Sequence, residues 1–254
     1  MEKSIKIRIL ILLYIIILVC GVKTLNGQNL VPNPGFEQYD KCPESYTPEN
    51  GKIQIPHWYS ATKATPDYFN KCSKFNVNVP VNFMGHLWAN EGNAYIGILC
   101  AEHPDDNKSK RTTDYREYIQ VKLKNSLSGS KKYRIQFYYA VAPYSKFAVN
   151  SLGVCLSQQK IKARYSVIDC SGTYTGTDTS TVITEAGVWI RFSDTISVNG
   201  EEEYLTIGNF YSDRDMKYEP LDISELRNSL QETINNNGYV YYYIDNVLVE
   251  TINE

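Results

Sequence analysis

The sequence predicts an all-β protein: a jelly-roll β-sandwich of two antiparallel sheets, with one short helix inserted before the last strand. Apolar and polar residues alternate with a period of two in several segments, which is the pattern of a strand with one buried face. Short runs of β-branched and aromatic residues, among them many of the 21 tyrosines, are separated by Gly, Asn, Pro and Ser. Helical periodicity is scarce. Short strands repeated in this way are typical of a sandwich or jelly roll, and a barrel is the structural alternative.

The predicted strands follow from this alternation. In Tyr133–Phe137 every second residue is aromatic or aliphatic, and Tyr118–Leu123 alternates in the same way after its first pair. In chain order, the predicted strands are Ala94–Leu99, Tyr115–Leu123, Tyr133–Val141, Ala148–Leu156, Val188–Val198, Tyr204–Phe210 and Tyr239–Val249.

One segment near the end of the chain has the signature of a helix. A capping-box spacing begins at Asp222. Leu226, Leu230 and Ile234 follow at four-residue steps, which place them on one helical face. The run Asn235–Gly238 then supplies a helix stop signal. We therefore expect a short helix in the loop before the last strand.

The first residues predict export. Three basic residues are followed by the apolar run Ile9–Val19, and this order is typical of a secretory signal. The run is shorter than the ~20 residues that span a bilayer, so a permanent anchor is disfavoured. Cys20 raises the alternative of a lipid anchor, but a lipoprotein signal has a small residue where valine precedes this cysteine. Cleavage after Gly27 gives a signal peptide, residues 1–27, and a single domain, residues 28–254.

Composition limits the possible partners. The whole chain has a formal net charge of −2, and removal of the basic signal segment makes the mature domain more acidic. Nucleic-acid binding needs clustered Lys and Arg, so we expect no nucleic-acid partner. The mature chain has no apolar run of spanning length, so we expect no transmembrane segment in it. The expected location is outside the cytoplasm: secreted, periplasmic or on the outer cell surface.

Five cysteines follow the signal segment, and export places them in an oxidising compartment. Cys42 and Cys72 lie in loop-like sequence rich in Pro, Asn and Ser, and we predict a disulfide between them. Cys155 and Cys170 form a second candidate pair, which leaves Cys100 as a free thiol. No CxxC pair or Cys/His cluster occurs in the sequence, so a zinc site is not expected.

Motifs at the two ends of the mature chain carry a family resemblance. The chain opens with Asn29–Glu37, NLVPNPGFE, and its last strand contains Tyr241–Val249, YYYIDNVLV. Gly92–Gly97, Tyr115–Gln120 and Tyr204–Phe210 lie between them. Together these segments resemble the cenC-type carbohydrate-binding modules and the wider galactose-binding-domain-like jelly rolls, in the version found in exported proteins of the Bacteroidetes group. The resemblance implies a jelly roll over nearly the whole mature chain, and it does not specify the ligand.

Relatives of this type often carry an OmpA-like peptidoglycan-binding domain after the jelly roll. Only five residues follow the closing motif in this sequence of 254 residues. We therefore expect a free-standing module.

Glu37 of the opening motif and Asp245 of the closing strand are the predicted metal ligands. The first and last strands of a jelly roll can be neighbours, so the two carboxylates can meet. The resemblance implies a structural calcium at this place, because similar modules hold one there. Calcium takes six to eight oxygen ligands, from carboxylates and backbone carbonyls. The alternative is that Asp245 caps a turn and Glu37 is a solvated acid.

Aromatic residues before the main strands are the candidate ligand-binding residues. Trp88, Trp58, Tyr59 and Tyr68 lie in a loop-rich stretch. Exposed Tyr and Trp rings combine apolar area with a polar tip, and they can stack on the C–H faces of sugars. Trp88 is the leading candidate because it stands between turn residues, outside any predicted strand. The alternative is that these rings cover the end of the core, where Trp189 is also expected.

These features favour an exported, non-catalytic binding module whose partner is a glycan, a cell-surface polysaccharide or another cell-envelope component. One alternative is a surface adhesin or structural cell-envelope protein without sugar binding, and another is a glycoside hydrolase. None of the three histidines lies in a catalytic motif. Glu117 and Glu37 could supply the two carboxylates of a hydrolase, but a chain this rich in acids offers many such pairs. We therefore expect no enzyme activity and assign no catalytic residue.

Overall fold

The computed structural model describes residues 27–46, 53–102, 114–222 and 239–252. These residues form two large antiparallel sheets of five strands each, with a common core between them. No helix occurs in this part of the chain. The architecture is a β-sandwich, which confirms the predicted all-β class. Among the described strands the two sheets are separate and have open edges, so these strands do not close into the barrel considered as an alternative.

Most of the long strands are those that the alternation predicts. In chain order the strands are β1 Trp58–Ser60, β2 Asp67–Asn70, β3 Val81–Asn82, β4 Gly85–His86, β5 Ala94–Glu102, β6 Tyr118–Lys122, β7 Lys132–Val141, β8 Phe147–Val149, β9 Gly153–Ser157, β10 Thr173–Gly176, β11 Ile190–Ser197, β12 Tyr204–Gly208, β13 Tyr218–Pro220 and β14 Tyr239–Ile252.

Successive long strands alternate between the two large sheets. The β6 sheet has the order β1-β6-β12-β9-β10, and the β14 sheet has the order β11-β7-β14-β5-β2. Two small sheets pair β13 with β8 and β3 with β4. The last strand, β14, is the central strand of its sheet, with β7 on one side and β5 on the other.

The core lies between the two large sheets and follows the alternation of the sequence. In β7, Tyr133, Ile135 and Phe137 are buried, and the residues between them are exposed or half-buried. Strand β14 supplies Tyr242 and Ile244 to the same core.

The outer face of the β14 sheet carries a second, aromatic core. Tyr241 and Tyr243 alternate with the inward residues of β14 and pack there with Phe69 and Tyr95. Apolar residues between β2 and β5 complete this cluster. Trp189, expected in the core, is half-buried and packs against the same rings. Strand β14 is therefore buried on both faces, which explains its run of tyrosines.

The prediction of one continuous strand over Ala148–Leu156 is wrong. This segment forms two strands in different sheets, β8 and β9. Asn150 lies at the break, where its side chain donates a hydrogen bond to the Thr179 carbonyl and accepts one from the Lys217 backbone N–H. These bonds hold the chain away from the continuous strand that its β-branched residues favour.

Two predictions fall outside the described residues. The predicted helix lies, apart from Asp222, in segment 223–238, and the predicted signal peptide lies, apart from Gly27, in residues 1–26. Both stay predictions. In the part of the chain that is described, no helix is long and apolar enough to cross a membrane.

Two disulfides link loops covalently to the rest of the sandwich. Cys42 and Cys72 are joined, with their Cα atoms 6.0 Å apart, and Cys155 and Cys170 are joined with a Cα separation of 5.7 Å. Both separations are in the usual range for disulfides. Cys100 is a free, buried thiol. The predicted pairing is confirmed.

Candidate functional site

The first described residues run beside the end of β14, so the two ends of the domain meet. The Asn29 side chain donates to the Val247 carbonyl at 2.9 Å and accepts from the Val249 N–H at 3.1 Å. The Leu30 N–H donates to the Val249 carbonyl at 2.7 Å. The opening motif and the closing strand therefore form one structural unit.

Glu37 and Asp245 both bind the turn Asn90–Ala94, which leads into β5. Asp245 Oδ2 accepts the backbone N–H groups of the first two turn residues at 2.9 and 3.2 Å. Glu37 Oε1 accepts those of the last two at 2.8 and 3.1 Å. Gly92, at the middle of the turn, has a φ of 72°, and a Cβ there would lie 2.3 Å from Glu37 Oε1. We call this arrangement of two carboxylates and one turn the closure.

A groove of about 680 Å³ opens beside the closure. Four of the five non-glycine residues with positive φ among the described residues lie in the segments around it: Asn33, Phe36, His57 and Asn246, at 48°, 60°, 74° and 52°. Such conformations are uncommon outside glycine. The side chain of Asn33 holds its loop by bonding both backbone groups of Gln38. The groove therefore has a well-defined backbone wall.

Burial and the neighbouring acid both act on the charge of Asp245. Burial raises the pKa of Asp245 to about 8, backbone N–H groups oppose this rise, and the charge of Glu37 adds to it. Neither carboxylate has an ion-pair partner among the described residues. Within the same residues no three His, Cys, Asp or Glu side chains form a metal cluster, so further ligands would be backbone carbonyls. Asp245 does cap a turn, and Glu37, which caps the other end of that turn, is exposed to solvent; both observations are those that the alternative expects.

Trp88 lies two residues before this turn, and its side chain is 59% exposed. Its backbone carbonyl accepts a hydrogen bond from Trp189 Nε1 at 2.8 Å. Lys71 Nζ lies 5.8 Å from the centroid of the Trp88 ring, and the Lys71 N–H donates to the Asn93 carbonyl. The ring therefore faces solvent from a backbone that neighbouring elements hold in place.

The other three predicted ligand-binding residues are less accessible. Trp58 is 2% exposed, packs against Phe36 at 4.9 Å between ring centroids, and donates from Nε1 to a carbonyl of the opening motif. Tyr68 is 5% exposed and its hydroxyl donates to the Phe36 carbonyl. Both rings support the core, as the alternative expects for them. Tyr59 is half-buried on β1, with Lys160 Nζ 3.4 Å from its ring centroid.

The acids considered for catalysis have separate, structural partners. Glu37 belongs to the closure, and Glu117 is buried, with Oε2 accepting the Leu99 N–H at 2.8 Å. The structure also shows a buried carboxyl that sequence reasoning missed: Asp67, which accepts a hydrogen bond from the Tyr241 hydroxyl. Burial, and then the charge of Glu117, raise the pKa of Asp67 well above its ordinary value.

Sequence reasoning also missed the turn that joins Glu37 to Asp245. The run Glu91-Gly92-Asn93 has the composition of a tight turn. That signal could have located the turn. It could not have shown which carboxylates bind the backbone of the turn.

Comparisons with known proteins give structural likeness alone. No family model matches the sequence, and no curated protein matches it. The arabinose-bound α-L-arabinofuranosidase MgGH51 aligns with a TM-score of 0.46 and 8% identity, over 88% of this chain and 26% of its own. TmCBM61 in complex with β-1,4-galactotriose aligns with a TM-score of 0.41 and 12% identity, over 89% of this chain and 99% of its own. A cleaved adhesin domain of Lys-gingipain from Porphyromonas gingivalis aligns with a TM-score of 0.38 and 12% identity, over 83% of this chain and 97% of its own. This chain thus spans about a quarter of the first protein's length.

Proposed function

We propose that this protein is an exported, non-catalytic glycan-binding module of the jelly-roll type, and that Trp88 is its main contact with the glycan. The observation that carries the proposal is an indole ring with 59% exposure on a backbone held by hydrogen bonds. An exposed tryptophan offers a large apolar face with a polar edge. Because its backbone is held before binding, little conformational entropy is lost when a ligand docks.

Polar groups beside the ring suit a hydroxylated ligand. The Lys71 ammonium group lies above the Trp88 ring, and the exposed residues Glu91 and Asn93 follow in the turn. Binding sites of this kind combine an apolar surface with a few placed polar groups. A sugar ring presents both an apolar C–H face and hydroxyl groups, so it matches this surface in both respects.

The disulfides also support the proposal. The two disulfides are typical of proteins that work outside the cytoplasm. A structural calcium held by Glu37 and Asp245 is part of the proposal. Its charge would offset the repulsion between the two carboxylates and stabilise the turn that follows Trp88.

The test is binding of the mature domain, residues 28–254, to a glycan array, followed by calorimetry with the glycans that bind. We expect Trp88→Ala to weaken binding by roughly tenfold or more, since each ~1.4 kcal/mol of lost contact is a factor of ten. Tyr165→Ala is the matched control, because it removes an exposed ring, 44% accessible, from a different loop. Both variants must keep the wild-type circular dichroism spectrum. Wild-type affinity in Trp88→Ala would contradict the proposal.

The same experiment separates the alternatives. A folded domain that binds no glycan on the array would favour the adhesin or structural cell-envelope alternative. Release of new reducing ends from a bound glycan would favour the glycoside hydrolase instead.

A further inference from the structure

The loop 158–172 connects β9 to β10 and covers part of the outer face of the β6 sheet. On that face Gln120, Thr206 and Cys155 are neighbours across β6, β12 and β9, and all three are 0% exposed. Their neighbours along the chain belong to the core between the two sheets. The disulfide from Cys155 to Cys170 links the loop to the sheet beneath it. We call this loop the strap.

Apolar contacts and hydrogen bonds fix the strap on the sheet. Ile161, Ala163 and Ile168 of the strap pack with Tyr118, which lies on the outer face. The Ile168 N–H donates to the Tyr118 hydroxyl at 3.1 Å. The Ala163 N–H donates to the Ala61 carbonyl, just after β1, at 2.8 Å. The backbone of the strap is therefore held in place before any partner binds.

Cations alternate with the packed residues of the strap. Lys160, Lys162 and Arg164 lie at every second position, in a stretch without a turn or bend, so successive cations are about 6–7 Å apart along the chain. Lys63 lies beside them, because its N–H donates to the Arg164 carbonyl at 2.7 Å. Lys63, Lys162 and Arg164 are exposed. We call these four residues the basic surface.

The charge of the basic surface is not compensated. Among the described residues none of its four side chains has an ion pair or a hydrogen bond, although the whole chain has a formal net charge of −2. Lys160 Nζ lies 3.4 Å from the centroid of the Tyr59 ring, a cation–π contact that positions the ammonium group. Burial, and then the charge of Lys162, lower the pKa of Lys160, so the two lysines repel each other. The acid of the strap, Asp169, forms no ion pair with them.

This charge selects an anion, and the exposure of the cations selects a polymer. A cation is repelled, and a neutral ligand leaves the repulsion between the lysines in place. One exposed ion pair changes an affinity by only about twofold to fivefold, so a small anion would bind weakly. A chain with many negative groups can pair with all four cations at once.

The spacing of the cations distinguishes among polyanions. Phosphates follow one another at about 3.4 Å along a nucleic-acid strand, roughly half the spacing along the strap. A polysaccharide with one anionic group on each sugar separates its charges by a whole sugar ring. Surfaces that bind membranes combine cations with apolar side chains that insert into the lipid, whereas Ile161 and Ala163 of the strap pack against the sheet.

We propose that the basic surface binds an acidic polysaccharide that carries one anionic group on each sugar. This inference rests on the proposed glycan-binding function and names a class of glycan for it. It uses none of the residues at Trp88 or in the closure, so the two proposals can fail separately.

The experiment measures binding of the mature domain, residues 28–254, to immobilised polygalacturonate by biolayer interferometry. The same polymer with its carboxyl groups fully methyl-esterified is the uncharged match, and dextran sulfate carries sulfate in place of carboxylate. We expect at least one of the two polyanions to bind. If it is polygalacturonate, its ester should bind at least tenfold more weakly. Affinity should fall as salt rises from about 50 to 200 mM, because salt screens exposed charges.

Substitutions locate the binding on the strap. Lys162→Gln combined with Arg164→Gln should weaken binding about fourfold to twenty-five-fold, since each lost ion pair contributes about twofold to fivefold. The matched control combines Lys131→Gln with Arg191→Gln, which removes the same charge from exposed positions before β7 and in β11. It should bind as the wild type does. Tyr165→Ala removes an exposed, uncharged ring from the strap itself and should also leave binding unchanged.

Folding is controlled in the same series. The substituted Lys and Arg side chains are exposed and have no ion pair among the described residues, so both double variants should keep the wild-type melting temperature. A weaker affinity at an unchanged melting temperature therefore reports the loss of a contact with the polymer.

Four results overturn the inference. They are the absence of binding to both polyanions, equal affinity for polygalacturonate and its ester, and equal affinity of the wild type and the strap variant. The fourth is binding to duplex DNA or to phosphatidylglycerol vesicles as tight as to either polysaccharide, which would assign the surface to polyanions in general.

Trp88→Ala makes the two proposals separable. Polyanion binding that survives Trp88→Ala and weakens in the strap variant supports the basic surface, even where the array shows no role for Trp88. Binding of neutral glycans that depends on Trp88, in a domain that binds neither polyanion, overturns the basic surface and leaves the proposed function standing.

Discussion

Replacement of Asp245 by alanine tests how the two ends of the domain are held together. The carboxylate accepts the backbone N–H groups of Asn90, Glu91 and Asn246, and alanine leaves all three without this acceptor. An unpaired buried donor costs about 1–3 kcal/mol. Because water reaches this turn and the burial cost of the carboxyl is recovered, we expect a net loss of about 2 kcal/mol. For a domain of this size that lowers the melting temperature by about 4–8 °C.

A bound calcium ion would add a second, separable contribution. An ion present at 100 times its dissociation constant stabilises the folded state by about 2.7 kcal/mol, or roughly 5–10 °C in melting temperature. EDTA should therefore lower the melting temperature of the wild type, and calcium should restore it. Asp245→Ala should not respond to either. Asp245→Asn keeps an oxygen that can accept the N–H groups, so in EDTA it should melt above Asp245→Ala.

The assay is thermal unfolding followed by circular dichroism, in EDTA and then in excess calcium. Glu201→Ala, which removes an exposed acid before β12, is the control and should melt and respond as the wild type does. A wild-type melting temperature that is equal in EDTA and calcium would refute the cation. An Asp245→Ala variant that melts together with the wild type in EDTA would refute the hydrogen-bonded closure.

Three further predictions concern other parts of the molecule. Replacement of Cys42 and Cys72 by serine should cost about 3–4 kcal/mol, because this disulfide links residues 30 apart in sequence; an unchanged denaturant midpoint would contradict this. The raised pKa of Asp67 means that the folded state holds a proton that the unfolded state loses near pH 4. Stability should therefore fall as pH rises from about 4 towards the folded-state pKa, and this fall should be smaller in Asp67→Asn; parallel pH profiles would refute the assignment. Mass spectrometry of the secreted protein should find an N-terminus near Gln28, and a lipid on Cys20 would overturn that prediction.

Alternation predicted the long strands because each of them has at least one face in the core. The short strands gave no such signal. Strand β2, Asp67–Asn70, has four residues that are all buried, so its inner and outer faces do not differ in polarity. The break in Ala148–Leu156 depends on hydrogen bonds from Asn150 to residues distant in sequence, which a local pattern cannot show.

The sequence likewise predicted part of the candidate site but not all of it. The resemblance paired Glu37 with Asp245, and the structure brings both carboxylates to one turn. Their actual partners are backbone N–H groups, which every residue except proline has, so the sequence could not identify them. Trp58 and Trp88 both lie in loop-rich sequence, yet one is 2% and the other 59% exposed. Trp58 is buried because its ring packs against Phe36, and that contact depends on the tertiary fold.

The position of β14 has a consequence for the order in which the molecule can fold. This strand lies at the centre of its sheet, yet it comes last among the described strands, so β5 and β7 lack their common partner until residue 252 has been synthesised. Sheets that depend on such distant pairings fold slowly, because a long loop must close before the contacts form. A chain that crosses a membrane must stay unfolded until it has crossed. In the exported protein that we propose, this strand order would leave the sandwich incomplete until the last strand has crossed the membrane, which would keep the chain competent for export.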